Sequence, residues 1–249
     1  MKRLFTAAAL CIGLAACGQP GSQTEAPPAA PAGFPRPTAS YVGKYQMHVG
    51  AAQRAMTIYA DGARIRMEGP PPAAVKAEGV TVATVMDQAT KKLITFRTGP
   101  DAPKAAMTMT LDKVGEAASL FERDKDQPAA KVVGEDKVAG LSCRIWETPA
   151  ATEGAPANQV CVTDDGIMLR ANKAGQVDKP TMLAEEIRRG PQDPALFAPP
   201  ADYEVVDYSR CTDMASEAMA AARSGKKPDM AKLQQCAALG KKVSAIFGG

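Results

Sequence analysis

Apolar and polar positions alternate with period two along much of this chain. Residues 41–49 alternate loosely, 54–60 continue the pattern, and Ala63-Arg64-Ile65-Arg66-Met67-Glu68 alternates strictly. Ile65 and Met67 therefore share a face opposite Arg64 and Arg66. Asp61-Gly62 between two such runs predicts a hairpin. Residues 69–79 carry three consecutive prolines, Pro70 to Pro72, and read as a loop. Further strands are expected at 80–86 and 91–96, joined by a turn at 87–90, and at 105–111. Residues 112–123 place Val114, Ala117, Ala118 and Phe121 at helical spacing and predict a helix. Strands resume at 131–134, 141–147, 159–163, 167–171 and 181–188, with Asp164-Asp165-Gly166 as a second hairpin turn. Roughly ten short strands with turn signals predict an antiparallel sheet or barrel. The fold class is mainly β with α.

The pattern changes after residue 207. Residues 210–247 are rich in Ala, Met, Lys and Gln and poor in β-branched residues. One helix is expected over 212–223, stopped by Ser224-Gly225. A second starts at Pro228-Asp229 and reaches about residue 247. Cys236, Leu239, Val243, Ile246 and Phe247 form its apolar stripe.

The N-terminus reads as an export signal. Lys2 and Arg3 precede an apolar run too short to span a bilayer. Leu14-Ala15-Ala16-Cys17 resembles the bacterial lipobox. That resemblance implies cleavage after residue 16, acylation of Cys17 and, with Gly18 next, residence at the outer membrane facing the periplasm. Two or more acyl chains anchor a protein stably. Residues 17–40 are a Pro/Ala-rich tether with little to bury. The expected organisation is signal 1–16, lipidated Cys and tether 17–40, β domain 41–207 and helical hairpin 208–249.

Composition narrows the chemistry. The 249 residues include one His, six Cys and a net charge of +3. Such a charge argues against a dedicated nucleic-acid binder. Without the signal the net is +1. It divides unevenly: −3 over residues 41–209 and +4 over 210–249. The basic tail reads either as a contact for anionic lipid or an acidic partner, or as a solvated helix face. Cys143, Cys161, Cys211 and Cys236 remain after the signal and the lipid site. An even number in an exported chain predicts disulfides. Three connectivities exist, and the sequence-local one, Cys143–Cys161 with Cys211–Cys236, is expected. Each bridge closes a loop of about 20–25 residues, worth roughly 3 kcal/mol. There is no Cys-x-x-Cys, so neither a zinc site nor a redox pair is expected.

Catalytic signals are missing. No Gly-x-Ser-x-Gly elbow or phosphate-binding glycine loop is present. His48 sits in a strand-like run without a nucleophile signature. The acid pairs Glu122/Asp124, Asp164/Asp165 and Glu185/Glu186 fall in turns or on polar faces. No cofactor, metal or catalytic residue is expected, and the chain reads as a non-enzyme. Methionine is the remaining candidate. Met47, Met56, Ile65, Met67, Met86, Met107 and Met109 either line a groove for a hydrophobic ligand or fill an ordinary core.

Several short motifs recur together: Arg64 to Glu68, Val85 to Leu93, Gly140-Leu141-Ser142-Cys143-Arg144-Ile145-Trp146, Gln159-Val160-Cys161-Val162-Thr163, and Phe197 to Tyr203. Over about residues 41–207 they resemble uncharacterised bacterial lipoprotein domains related to the LolA/LolB lipoprotein-carrier fold. The resemblance implies a curved antiparallel half-barrel around a packed helix, with acyl chains held on the concave face. The chain departs from the carriers in its cysteines and its C-terminal helical hairpin. The expected function is a lipid-anchored envelope protein binding a hydrophobic ligand. The alternative is a scaffold that docks an unidentified protein partner through the basic helices.

Overall fold

The computed structural model describes residues 35, 37–50, 52–71, 78–113, 130–149, 155–227 and 229–247. The export signal, Cys17 and nearly all of the tether lie outside them. So does the expected helix at 112–123 beyond Lys113. Its first residues, Leu111–Lys113, form a 3-10 turn.

The described residues form twelve strands: β1 (Tyr41–Val49), β2 (Ala52–Asp61), β3 (Arg64–Gly69), β4 (Thr81–Asp87), β5 (Lys92–Thr98), β6 (Ala105–Thr110), β7 (Lys131–Val138), β8 (Leu141–Thr148), β9 (Asn158–Val162), β10 (Met168–Lys173), β11 (Met182–Arg189) and β12 (Glu204–Asp207). They form one sheet in the order β12-β6-β5-β4-β3-β2-β1-β11-β10-β9-β8-β7. The sheet is not closed, and β12 and β7 are its edges among the described residues.

Two expectations are corrected. Among the described residues the strands number twelve rather than about ten, and the one without a sequence signal is β12, which has only two β-branched residues, Val205 and Val206, between acids. The sheet is also not wholly antiparallel: β12 pairs with β6 in parallel. β11 and β12 run in the same direction, so the chain must first return the length of a strand across one face. β7 runs on through Glu135, Asp136 and Lys137, charges that an edge strand tolerates.

Two hairpin turns differ in quality. Gly62 (φ +59°) and Ala63 join β2 to β3, one residue later than the Asp61-Gly62 signal suggests. Asp61 and Arg64 close that turn with a 2.5 Å ion pair. Between β7 and β8 both turn residues have positive φ, Ala139 at 49° and Gly140 at 79°. That is the type I′ pattern, which Gly, Asn and Asp tolerate and Ala does not.

Two helices follow β12. α1 (Ser209–Arg223) begins three residues before the expected start, and α2 (Met230–Phe247) completes the hairpin. The Asp229 carboxylate accepts from the Ala231 and Lys232 amides and caps α2. Leu233, Cys236, Leu239 and Val243 form the half-buried stripe of α2. The side chains of Ile246 and Phe247 lie outside the described residues. Cys211 bonds to Cys236, with Cα atoms 5.2 Å apart, and Lys232 pairs with Glu217 at 3.0 Å. The hairpin is tied to the sheet at its other end: Lys242 reaches Glu204 of β12, and the Thr110 amide donates to the Ser209 hydroxyl.

Two substitutions test these constraints. A Cβ on Gly43 would lie 2.6 Å from both the Tyr45 ring and Ile187 Cδ1. Gly43→Ala should therefore lower stability by about 1–3 kcal/mol, as overpacking does. Ala139→Asn relieves the strained turn and should raise stability by about 0.5–1 kcal/mol. Denaturant midpoints read both.

Candidate ligand-binding face

The register from β1 to β6 is unbroken, so each strand's alternate residues stay on one side. Tyr45 opposes Met56, Ile58 opposes Met67, Ala60 opposes Ile65, Ile65 opposes Met86 and Met86 opposes Leu93. Leu93 opposes Met109, and Thr95 opposes Met107. Met47 shares the side of Tyr45, two residues away. All seven candidate lining residues thus sit on one face, called here the methionine face.

They differ in exposure. Ile65, Met86 (2% exposed) and Met107 (6%) are buried, whereas Met47, Met56, Met67 and Met109 are half-buried. The Tyr41, Tyr45, Ile58, Ala60 and Ile65 side chains join a core cluster with Val138, Cys143, Cys161, Ile167 and Leu169. Met47, Met56 and Met67 pack against that cluster. At the other end the register puts Glu204 and Val206 of β12 on the same face as Met107. The Lys242–Glu204 pair therefore brings α2 over β6 and β12 on this side.

The face also carries polar groups that the sequence pattern did not single out. Thr84 and Thr95 hydroxyls meet at 3.5 Å, and Arg97 follows on β5. Thr95 and Arg97 are buried, and Arg97 Nε has no hydrogen-bond partner among the described residues. The Tyr45 hydroxyl is buried beside that of Tyr41, and burial raises its pKa well above the ordinary phenol value.

The opposite face is closed by the chain itself. After β11 the segment Pro194–Phe197 forms a 3-10 turn, capped by the Asp193 carboxylate accepting from the Ala195 amide at 2.9 Å. Phe197, Leu196 and Tyr203 pack on Ala83, Val85, Phe96 and Ala106. Arg66 is buried there. It donates to the Leu196 carbonyl at 2.6 Å, pairs with Glu68 and stands 5.1 Å over the Phe96 ring. Arg64 stands 4.7 Å over Phe197. Tyr203 donates to the Arg97 carbonyl at 2.8 Å and meets Phe96 edge-on. The strict alternation at 64–68 puts both arginines opposite Ile65 and Met67, as the register shows. The structure makes them the clamp that holds the crossover down.

Residues 41–180 match the model of a domain of unknown function, DUF4412. The chain belongs to the DUF4412 family. No curated protein matches it. Solved structures similar to it at low identity include three proteins. An uncharacterised conserved protein from Thermus thermophilus has a TM-score of 0.44 and 15% identity, covering 68% of this chain and 91% of that one. PNGF-II has a TM-score of 0.44 and 12% identity, with 70% of this chain covered and 32% of that one. The Pseudomonas aeruginosa MucA/MucB complex has a TM-score of 0.41 and 13% identity, with 68% and 59% covered. This chain thus spans about a third of PNGF-II and less than two thirds of the chain in that complex.

The DUF4412 region contains the first disulfide, Cys143–Cys161, which joins β8 to β9 with Cα atoms 5.4 Å apart. With Cys211–Cys236 the connectivity is the sequence-local one, and two such bridges belong to an extracytoplasmic protein. Among the described residues no three His, Cys, Asp or Glu side chains gather as a metal site. His48 lies in β1, and its buried Nδ1 has no hydrogen-bond partner among the described residues. Asp165 binds Arg189 through two bonds and accepts from Thr163, so it works as a clasp between the β9–β10 turn and β11. Glu186 pairs with Lys44 at 2.7 Å. Glu122 and Asp124 lie outside the described residues.

Paired carboxylates give this fold an acid limit. The Arg189 guanidinium holds the Asp165 carboxyl below its ordinary value of 3.8. The Lys137 amide and then Arg170 do the same for Asp136. A carboxylate with a depressed folded pKa stabilises the protein above its unfolded value, and that contribution is lost as the pH falls through the folded one. Melting temperature should therefore drop as the pH falls below 3.8, the ordinary value of Asp165. Arg189→Gln should reduce that drop, measured against the same protein at neutral pH.

Proposed function

We propose that this DUF4412 protein is a lipid-anchored, non-catalytic protein of the Gram-negative envelope that binds a hydrophobic ligand on its methionine face. One observation carries the reading: the register collects all seven lining residues on one side, and four of them remain half-buried. Unbranched, polarisable thioethers adapt to ligands of varied shape. The LolA/LolB resemblance supplies the ligand class, acyl chains held by a curved half-barrel. The lipobox at Cys17 supplies the anchor at the outer membrane, facing the periplasm. The two disulfides support the compartment.

A second reading is an envelope scaffold that docks a protein through the basic helices. The exposed hairpin and its +4 charge favour it.

Native mass spectrometry of the lipidated protein, purified from membranes in mild detergent, separates the two. A ligand binder should carry a lipid-sized adduct beyond the covalent acyl groups. Met56→Asp combined with Met109→Asp should remove the adduct and leave a cooperative melt. Purification without any adduct would count decisively against the ligand reading.

A further inference from the structure

The tip of the helical hairpin combines two features that the ligand reading leaves unused. The first is exposed apolar surface. Met219, in the last turn but one of α1, is 57% exposed, and Met230, the first residue of α2, is 61% exposed. Met219 and Arg223 stand one turn apart and line an open cleft of about 490 Å³ with Ser216, Ala220 and Ser224. The second is unpaired positive charge. Arg223, Lys226 and Lys227 are exposed and make no ion pair among the described residues.

The acids nearby are already engaged. Glu217 pairs with Lys232 at 3.0 Å, and the Asp229 carboxylate turns back to the first amides of α2. The tip therefore presents cations beside flexible apolar side chains, with little competing negative charge. The hairpin meets the sheet through Ser209 at one end and Lys242 at the other, both remote in sequence from the tip. The Cys211–Cys236 bond ties the two helices together between those anchors and the tip.

We propose that the hairpin tip docks on an anionic lipid surface, with Met219 and Met230 entering the headgroup region and Arg223, Lys226 and Lys227 on the lipid phosphates. Charge complementarity selects the lipid. Each Lys or Arg close to an anionic surface adds about fivefold to partitioning, and methionines add an apolar term that a purely solvated helix would lack. Ion pairing alone would suit an acidic protein, but two exposed methionines, one beside the turn and one in the last turn but one of α1, suit a bilayer.

The test uses the full chain with Cys17→Ser, so that no acyl anchor contributes and failure of the anchoring reading cannot imitate failure of this one. Phosphatidylcholine vesicles with and without phosphatidylglycerol are sedimented with the protein. Binding is expected only with phosphatidylglycerol and should weaken as salt rises. Arg223→Gln, Lys226→Gln and Lys227→Gln together should reduce it about 100-fold. Met219→Ser with Met230→Ser should reduce it about tenfold. All five side chains are exposed, so the melting temperature should not move. Absence of binding to the phosphatidylglycerol vesicles would overturn the proposal, as would equal binding to both vesicle types or undiminished binding by the triple variant.

Discussion

The unbroken antiparallel register from β1 to β6 is the constraint on which the rest of the molecule depends. A slip of one residue would exchange the two faces entirely. Met67, Met86 and Met107 would then meet the crossover, and Arg66 would meet the tyrosine core. Short turns hold the register where the strands alone would not. Gly62 and Ala63, with the Asp61–Arg64 pair, leave the β2–β3 hairpin no alternative pairing. The Asp87 carboxylate accepts from the Ala89 and Thr90 amides and fixes the β4–β5 turn in the same way. Gly43 matters for a related reason: without a side chain it leaves room for the Tyr45 ring to fold back over β1.

The two faces are closed by different physics. On the arginine face a loop is held by a buried cation. Taking Arg66 out of water is expensive, and its bonds to Glu68 and the Leu196 carbonyl, with the Phe96 ring beneath it, offset that cost. The same contacts orient the crossover and deliver β12 to the sheet edge in parallel. On the methionine face adaptable apolar side chains prevail, and the polar exceptions, Thr95, Arg97 and the Tyr45 hydroxyl, are buried. An unpaired buried polar atom lowers stability unless something compensates it. Among the described residues one such atom, Arg97 Nε, lies on the face where the lining candidates gather, and others, His48 Nδ1 among them, lie elsewhere.

The helical hairpin is a separate layer attached at the β12–β6 edge. Its disulfide compensates for a small core: α1 buries Cys211 and little else, and most of its length faces water. The step from Glu217 to Cys211 covers six residues of α1, whereas Lys232 to Cys236 covers four of α2. The helices are therefore offset, which absorbs the unequal distances of the two cysteines from the turn.

Much of this was legible in local sequence, because strands, turns and caps depend on residues close together. Alternation, β-branched runs and turn signals located eleven of the twelve strands among the described residues to within a few residues, and Ser224-Gly225 and Asp229 marked the helix ends. β12 escaped because four residues cannot establish a period, and β6 stabilises it rather than its own propensity. The alternation at Arg64 to Glu68 separated the faces correctly but not their environments. Arg66 is buried because residues some 130 positions later fold over it. The seven lining candidates are spread over β1, β2, β3, β4 and β6. Only the pairing of six strands decided that they share a face. Alone, the sequence determined element types, export-compatible cysteines and the uneven charge. Tertiary structure decided which side of the sheet each residue occupies and what covers it, since both depend on contacts between segments distant along the chain.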